Sequence, residues 1–363
     1  MNATKEADKD APKNPKDKTH GVLYVGIDLG TSRTAVAASN GVRASVPSFV
    51  GYPKDHVSRK LLGREVLIGE DVIENRLALR WYRPLEKGVI KGSDGAVLTP
   101  EDVEANMRAA RDLLTHTISL VRPRPDEVVY GVVGAPAQAS VKNQKALLDA
   151  GRELLDAVLI CSEPFAVAYG LDWLDDVLVI DIGAGTVDLC RMHGTMPEEN
   201  DQITLTTAGD WVDEQLEGLL RDRCPGAQFS RAMVKTLKEK YSTVLDAAAP
   251  IEVDLPVRGK PTRFDVTEAV RSACRGIVPP IVESLGELVA SFDPEFQERL
   301  RNRVLLAGGG SQIGGLERAI EEAMRERLGG GRVLRIEEPV YGGANGALKI
   351  AHDMPPANWK KLD

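Results

Sequence analysis

Three short glycine-rich stretches of this sequence have the residue types that bind phosphate. Each follows a run of apolar residues that predicts a β-strand: residues 28–32, 181–186 and 308–311. Glycine lets a backbone approach a ligand closely, and successive backbone N–H groups in such a turn form a pocket for an anion. The first two turns, facing each other, would bind the β- and γ-phosphates of a nucleotide from both sides. The turn residues that we predict to bind nucleotide are Asp28, Gly30, Thr31, Ser32, Gly183, Ala184, Gly185, Thr186, Gly308, Gly309, Gly310 and Ser311.

Two aspartates at strand ends are candidates for a magnesium site. Asp28 and Asp181 each end an apolar strand and begin a glycine-rich turn. Mg²⁺ keeps several of its waters and takes few carboxylates, so we predict that both side chains serve the ion through water, beside the phosphates. We also count Asp181 among the catalytic residues. The alternative is that each aspartate only caps its turn, and a single D-x-G-T segment does not decide between the two.

A third carboxylate, Glu163, lies between a predicted strand and a predicted helix. At such a place it could orient or deprotonate the water that attacks a phosphoryl group, which makes it a candidate catalytic residue. A glutamate at a helix N-terminus is also stabilised by the helix dipole, without any chemistry. The residues alone leave both interpretations open.

The remaining candidates would contact the outer phosphates and the nucleoside. The third turn, 308–311, lets an adenosine ring lie against backbone. Gly209 opens a predicted helix and is placed to approach the phosphates, with Asp213 one turn later. Glu214 could accept a hydrogen bond from a ribose hydroxyl, and Lys238 could reach the ribose or the adenine. For Glu214 and Lys238 the alternative is a solvated helix face.

The composition is that of an ordinary soluble globular protein. The chain has 363 residues, of which 43% are hydrophobic and 28% charged, and its formal net charge is −8. No apolar run approaches the roughly 20 residues of a membrane-spanning helix, and the acidic balance gives no basic footprint for nucleic acid. A P-loop is disfavoured because G-x-x-x-x-G-K-[ST] is absent, and a dinucleotide fold because the first turn lacks G-x-G-x-x-G. Four scattered cysteines indicate free thiols in a reducing cytoplasm.

The strand–turn–strand pattern of residues 23–39 recurs at 177–192. This duplication predicts an α/β protein with two similar halves around a nucleotide cleft. We place the first half in 21–162 plus 337–363, with an inserted subdomain at about 51–98, and the second in 163–336, with an insert at about 207–261. Residues 1–20, charged and poor in apolar side chains, are predicted to be a disordered tail.

Hydrophobic periodicity and turn residues predict the remaining elements. Thr99 is the expected N-cap of the first long helix, with Pro100 at its first position. Strands are predicted at 23–30, 34–39, 42–53, 126–136, 157–164 and 177–192, with a strand pair at 251–267. Helices are predicted at 100–121, 139–155, 165–172, 207–250, 266–292 (interrupted at Pro279–Pro280) and 342–353. Residues 302–328 read as strand, turn and helix, and 354–363 as a short polar tail.

These segments together resemble the superfamily of actin, Hsp70 and sugar-kinase ATPases. IDLGTSRTAV (27–36) and VIDIGAGTVDL (179–189) look like its two phosphate motifs, and LLAGGGSQIGGL (305–316) looks like its adenosine motif. GAPAQAS (134–140) and GGANGAL (342–348) look like its two connecting segments. The five segments occur in the family's order. The resemblance implies an actin-like, ribonuclease H-like fold of two duplicated α/β domains.

Within the superfamily the sequence is most similar to the bacterial actins associated with magnetosomes. FVGYPKD (49–55), SEPFAVAYGLD (162–172) and Ala184 in the second turn carry this likeness. It implies an ATPase that uses ATP, ADP and Mg²⁺ and polymerises into cytoskeletal filaments that position magnetosomes in a chain. It also implies that Glu163 is the hydrolytic carboxylate. The expected partners are further copies of the chain and magnetosome-associated proteins, in the cytoplasm along the magnetosome chain, without nucleic acid or membrane insertion.

Three other functions remain open at this stage. A small-molecule kinase of the same superfamily would need an acceptor pocket, and the sequence shows no clear sugar-binding signature. An Hsp70-type motor normally carries a substrate-binding domain after the ATPase. A cell-shape scaffold similar to MreB would bind membrane, for which the sequence shows no N-terminal amphipathic helix.

Overall fold

The structure is a computed structural model that describes residues 21–92, 98–246 and 249–362. The disordered tail predicted at 1–20 lies outside the described residues. Within the described ranges, none of the helices combines the length and the apolar character needed to cross a membrane.

Strands and helices alternate along the chain. The strands are β1 (Val22–Leu29), β2 (Arg33–Ala38), β3 (Arg43–Pro47), β4 (Val50–Pro53), β5 (Leu67–Ile68), β6 (Leu79–Tyr82), β7 (Leu85–Glu86), β8 (Val89–Ile90), β9 (Val128–Ala135), β10 (Ala157–Ser162), β11 (Val177–Ile182), β12 (Val187–Met192), β13 (Gln202–Leu205), β14 (Glu252–Val257), β15 (Lys260–Asp265), β16 (Val304–Ala307) and β17 (Val333–Arg335). The helices are α1 (His56–Leu62), α2 (Glu70–Asn75), α3 (Pro100–Leu120), α4 (Val141–Arg152), α5 (Glu163–Gly170), α6 (Gly209–Arg223), α7 (Arg231–Tyr241), α8 (Thr267–Arg275), α9 (Val278–Ala290), α10 (Pro294–Arg301), α11 (Leu316–Leu328), α12 (Gly342–Asp353) and α13 (Pro356–Trp359).

Two five-stranded sheets share one topology. The first sheet has the order β10-β9-β1-β2-β3 and the second the order β13-β12-β11-β16-β17. In each, a central strand pairs antiparallel with the next strand of the chain and parallel with a later one: β1 with β2 and β9, and β11 with β12 and β16. The predicted duplication is therefore confirmed at the level of strand pairing.

Smaller sheets lie in the segments that were predicted as inserts. The strands β5-β4-β6 form a separate three-stranded sheet, and β14 and β15 form a hairpin. The division of the chain into two domains with these boundaries stays a prediction.

Helices α5 and α12 lie between the two sheets. Helix α12 packs on β1, β9 and β2, whereas α5 packs on β11 and β12 and crosses α12 directly. The crossing is close because glycines meet there: a Cβ on Gly346 would overlap the carbonyl oxygen of Ala166, and a Cβ on Gly170 would lie 2.9 Å from the Gly346 Cα. Contact between the sheets thus depends on side chains being absent at these positions.

Several predicted elements are confirmed close to their expected bounds. The helix at 100–121 is α3, and the Thr99 side chain accepts a hydrogen bond from the backbone N–H of Asp102, as an N-cap does. The prolines at 279 and 280 lie in the first turn of α9, where a missing N–H donor is harmless. The interruption therefore comes before them, between α8 and α9.

Two predicted boundaries were wrong in detail. Residues 42–53 form two strands, β3 and β4, because Ser48 turns the chain and donates through its hydroxyl to the carbonyl of Gly30 at 2.7 Å. The stretch 207–250 contains two helices, α6 and α7, separated by residues 224–230. Strands β13 and β17 and helix α10 were not predicted.

The prediction that residues 354–363 form a polar tail was also wrong in part. Residues Pro356–Trp359 form α13, and Trp359 is fully buried. The indole stacks on the Tyr130 ring with centroids 4.8 Å apart, and its Nε1 donates to the carbonyl of Ala351 at 3.2 Å. Trp359 and Met354 of this segment pack in one cluster with Tyr130 of the first sheet.

We expect Gly346→Ala to prevent the chain from folding into this arrangement, because the added methyl group would overlap backbone that α5 cannot move without leaving the second sheet. Soluble yield and thermal unfolding followed by circular dichroism measure the effect. Gly218→Ala in α6 is the matched control, because a Cβ there meets no other atom within 4 Å. The control should be as stable as the parent chain or more stable. Equal stability of both variants would contradict the close crossing.

Candidate functional site

A cleft of about 450 Å³ opens where the glycine-rich turns of the two sheets meet. The turns follow β1, β11 and β16, so they lie at the carboxyl ends of three central strands. Matching topology in the two sheets brings the first and second turns opposite each other. The predicted residues that line this cleft are Asp28, Gly30, Thr31, Ser32, Glu163, Asp181, Gly183, Ala184, Gly185, Thr186, Gly209, Lys238, Gly308, Gly309 and Gly310.

The second turn is held in shape by backbone hydrogen bonds. The N–H of Gly183 donates to the Thr186 carbonyl at 2.9 Å, which closes the turn. The first N–H groups of α6 then donate back to it: Gly209 to the Gly183 carbonyl at 3.1 Å and Asp210 to the Ala184 carbonyl at 2.7 Å. The start of α6 therefore lies directly on the turn, and Gly209 lines the cleft.

The third turn requires glycine at position 308 because of how tightly it packs on the end of strand β11. Gly308 has φ +75°, a left-handed conformation, and a Cβ there would overlap the Asp181 carboxylate and the carbonyl of Ile182. Ser311, in contrast, is buried, and its hydroxyl donates to the Gly308 carbonyl at 2.7 Å. Ser311 thus stabilises the turn from behind and is not among the residues that line the cleft.

Three carboxylates, those of Asp28, Glu163 and Asp181, line the cleft, and a fourth, Asp188, is buried near them outside the lining. Burial raises the pKa of Asp28 to about 6. Burial, and then the nearby charge of Asp28, raise the pKa values of Glu163 and Asp181 well above their usual range. Burial also raises the pKa of Asp188, against hydrogen bonds that favour its ionised form. Like charges this close resist ionising together, so the bottom of the cleft favours a bound cation.

No metal cage is present in the described part of the chain. None of its His, Cys, Asp and Glu side chains form a group of three or more that could ligate one ion. A cation at these carboxylates would therefore be held largely by water or by a ligand it shares with the protein.

Asp188, which the sequence analysis did not single out, is buried beside the site but is not among the residues that line the cleft. It lies opposite Asp181 in the β11–β12 pair. Its Oδ1 accepts hydrogen bonds from the Ala137 N–H at 2.8 Å and the Thr204 hydroxyl at 2.6 Å. The signal was available, since Asp188 follows the second turn in VIDIGAGTVDL, but a surface aspartate on a strand would look the same in sequence.

Basic residues around the opening of the cleft were missed as well. Arg83, between β6 and β7, forms an ion pair with Asp210 of α6 at 2.8 Å and donates to the Thr31 carbonyl at 2.8 Å. The neighbouring Gly88 N–H donates to the Thr31 hydroxyl at 2.7 Å. Arg83 therefore joins the first turn to the helix that supports the second.

Lys238, Asp213 and Glu214, which were predicted to bind nucleotide, lie in three different environments. Lys238 lines the cleft, but its ammonium is engaged by Asp213 at 2.9 Å and by the Gly209 carbonyl at 2.8 Å. Asp213 is buried behind it. Glu214 is exposed, forms an ion pair with Arg231 and does not line the cleft. The roles of these three residues in nucleotide binding stay predictions.

Comparisons with known proteins agree with this geometry. The model of the MreB/Mbl protein family matches residues 23–355. The actin-like protein MamK of Paramagnetospirillum magneticum is 40% identical over 340 residues, which are 94% of this chain and 95% of that protein. Among solved structures, the MamK double helical filament superposes with a TM-score of 0.87 at 39% identity, over 93% of this chain and 100% of the other.

A second solved structure is a non-polymerising MamK mutant bound to AMPPNP, with a TM-score of 0.69 at 38% identity over 92% of this chain and 100% of that one. These likenesses confirm the actin-like fold expected from the five motifs. With nearly the whole chain matched by the family model and by relatives of this identity, the chain belongs to the MreB/Mbl family of actin-like proteins and, within it, to the MamK group.

Proposed function

We propose that this chain is an ATPase that polymerises into cytoskeletal filaments and positions magnetosomes in a chain. The observation that carries the proposal is the pair of facing phosphate turns on two sheets of identical topology, above a group of buried carboxylates. It is supported by what the relatives are: MamK forms a double helical filament, and a MamK mutant binds AMPPNP. The magnetosome role and any magnetosome-associated partner rest on the likeness to MamK.

Nucleotide binding is assigned to the turns and to the residues beside them. Gly30 and Thr31 of the first turn and Gly183, Gly185 and Thr186 of the second line the cleft from its two sides, although the Gly183 N–H is used in closing its own turn. A polyphosphate between them would accept hydrogen bonds from both sheets at once. Bound nucleotide would therefore link the two sheets through contacts that neither turn makes alone.

Mg²⁺ fits the acidic end of the cleft. Burial raises the pKa values of Asp28 and Asp181, and the charge of Asp28 adds to the effect at Asp181, which is the electrostatic environment a divalent cation relieves. Since no described residues form a direct metal cage, these two carboxylates would hold the ion through water and the phosphates. When bound, the ion neutralises phosphate charge.

Glu163 is the residue we assign to hydrolysis. It is the first residue of α5, buried, and it lines the cleft. Burial and the neighbouring aspartates raise its pKa, which gives the carboxylate a stronger affinity for a proton than an exposed glutamate has. In its ionised form it would orient the attacking water and accept a proton from it.

Filament formation follows from coupling between the cleft and the outer surface. The sheets contact each other through α5 and α12, so nucleotide that draws the turns together also fixes the relative position of the sheets. A head-to-tail contact between identical subunits propagates into an open filament when its rotation does not close a ring. ATP would favour the contact, and hydrolysis would weaken it.

The first experiment is high-speed pelleting with electron microscopy, with Mg²⁺ and ATP and without nucleotide, while phosphate release is followed. We expect filaments that need ATP, with phosphate release after assembly. A chain that binds ATP but stays monomeric at high concentration would contradict the proposal and would favour the small-molecule kinase alternative.

We expect Glu163→Ala and Glu163→Gln to assemble with ATP but to release phosphate about 10²–10⁴ times more slowly, the usual contribution of a general base. Their filaments should persist where those of the parent chain disassemble. Glu322→Gln, on the exposed face of α11, is the control for loss of one carboxylate and should behave like the parent chain. Normal turnover in both Glu163 variants would remove the assignment.

Protons should compete with Mg²⁺ for the carboxylates. A group with a raised pKa is protonated at mildly acidic pH and then attracts the ion less. The free Mg²⁺ needed for half-maximal hydrolysis should therefore rise as the pH falls from 7.5 to 5.5, with the rise becoming marked once the pH approaches the Asp28 pKa of about 6 and passes below it. The Mg²⁺ bound by ATP in solution is accounted for separately. The Asp28→Asn variant should need more free Mg²⁺ than the parent chain for half-maximal hydrolysis at pH 7.5, and this requirement should change less with pH. A Mg²⁺ requirement with the same pH dependence as that of the parent chain would contradict the role of Asp28.

A further inference from the structure

Lys235 brings a positive charge into the cleft from the side opposite the first turn. It belongs to α7, its side chain is 28% exposed, and it lines the cleft. Its ammonium donates a hydrogen bond to the hydroxyl of Ser32 at 2.5 Å. Ser32 lies in the turn after β1, so this lysine reaches across the opening to the phosphate turn of the other sheet.

Within the described part of the chain, the charge of Lys235 is balanced only by weak contacts, one of which is the Phe49 ring, whose centre lies 5.8 Å from Nζ. Among the described residues, the only carboxylate within 4 Å of its nitrogen is Glu239, at 3.7 Å, and that side chain is 60% exposed. Such an exposed i, i+4 pair neutralises a charge weakly. An ammonium has three donors, and the neutral Ser32 hydroxyl takes one of them.

Lys238, one turn later on the same helix, shows the contrast. Its ammonium contacts the buried Asp213 at 2.9 Å and the Gly209 carbonyl at 2.8 Å. Lys238 is therefore occupied in holding the start of α6. Of the two lysines of α7 that line the cleft, Lys235 is the one whose charge stays available to a ligand.

The surroundings of Lys235 favour an anion. Burial lowers its pKa most; the charge of Glu239 acts in the opposite direction, the positive charges of Arg83 and Lys238 lower the pKa further, and Asp213 raises it. A negative group bound beside it would reverse this effect and stabilise the ammonium. The first turn is predicted to bind phosphate, and Nζ already lies at hydrogen-bond distance from that turn.

We propose that Lys235 is a direct ligand of the nucleotide polyphosphate, supplied across the cleft by α7. This inference rests on the proposed nucleotide binding and assigns to that site a cation that none of its glycine-rich turns contains. On binding, phosphate oxygens take up the donors of Nζ that Ser32 leaves free. The nucleotide then holds α7 against the first turn by a charge-assisted contact in addition to the backbone donors of the turns.

The test compares ligands that differ only in phosphate, by competition against a fluorescent ATP analogue. Lys235→Met should lower the affinity for ATP and ADP by about 10-fold or more, the loss expected for a hydrogen bond to a charged group. Its affinity for adenosine should be unchanged. Lys235→Arg should retain most of the ATP affinity. Lys240→Met is the matched control, because Lys240 lies on the same helix but is exposed and outside the cleft lining. It should bind all ligands like the parent chain.

Ser32→Ala separates a direct contact from an indirect one. If Lys235 binds phosphate, the double variant Ser32→Ala, Lys235→Met should bind ATP with lower affinity than Ser32→Ala alone. No further loss in the double variant would show that the lysine only positions Ser32, and would overturn the proposal. So would an unchanged ATP affinity in Lys235→Met, or an equal loss for adenosine. A parent chain that does not bind ATP would instead overturn the proposed function itself.

Discussion

The close crossing of α5 and α12 is the constraint on which the rest of this structure depends. Gly346 and Gly170 remove the side chains that would otherwise hold the two helices apart. Helix α12 also lies tightly on the first sheet, because a Cβ on Gly26 of β1 would overlap the backbone of Ala344 and Leu348. Each sheet carries one helix of the pair, so this contact sets the position of one sheet relative to the other and, with it, the width of the cleft.

That geometry has an electrostatic consequence at the cleft. Glu163 begins α5, and Asp28 and Asp181 end the central strands of the two sheets, so the crossing that joins the sheets also brings their carboxylates together. The unfavourable proximity of these groups appears as raised pKa values. Under the proposed function, a cation and a phosphate chain would supply the stabilisation that the protein alone lacks here. A site of this kind gives up some stability so that a ligand contributes to the folded state.

The opening of the cleft has the opposite charge pattern. Arg83 and Lys235 reach from one side to the other, and Lys238 supports the start of α6. Acidic groups at the bottom and basic groups at the opening match a ligand whose metal end is positive and whose phosphates are negative. Arg83 and Lys235 contact residues on the far side of the cleft, so their interactions change whenever the sheets move. Under the proposed function, nucleotide would lie between two surfaces whose relative position affects assembly.

Local patterns in the sequence were enough to predict the duplicated strand–turn–strand units, the three glycine-rich turns and most long helices. The reason is that hydrophobic alternation and glycine placement are local: IDLGTSRTAV and VIDIGAGTVDL each specify a hairpin by themselves. Asp28, Asp181 and Glu163 could be picked out for the same reason, because each stands at the end of an element. The resemblance to actin-like proteins could also be recognised from the sequence, because it depends on the order of these segments.

Other features were decided only by the tertiary structure. Whether a charged residue on a helix faces the cleft depends on how that helix packs, and sequence spacing does not carry this information. Lys238 and Asp213 therefore became an internal ion pair, Glu214 an exposed one, and Lys235 a cleft residue. Trp359 was hidden in a polar tail because its partner, Tyr130, lies more than two hundred residues earlier in the chain. Contacts between distant segments form only once both sheets are in place, and a single sequence does not reveal which distant segments will meet.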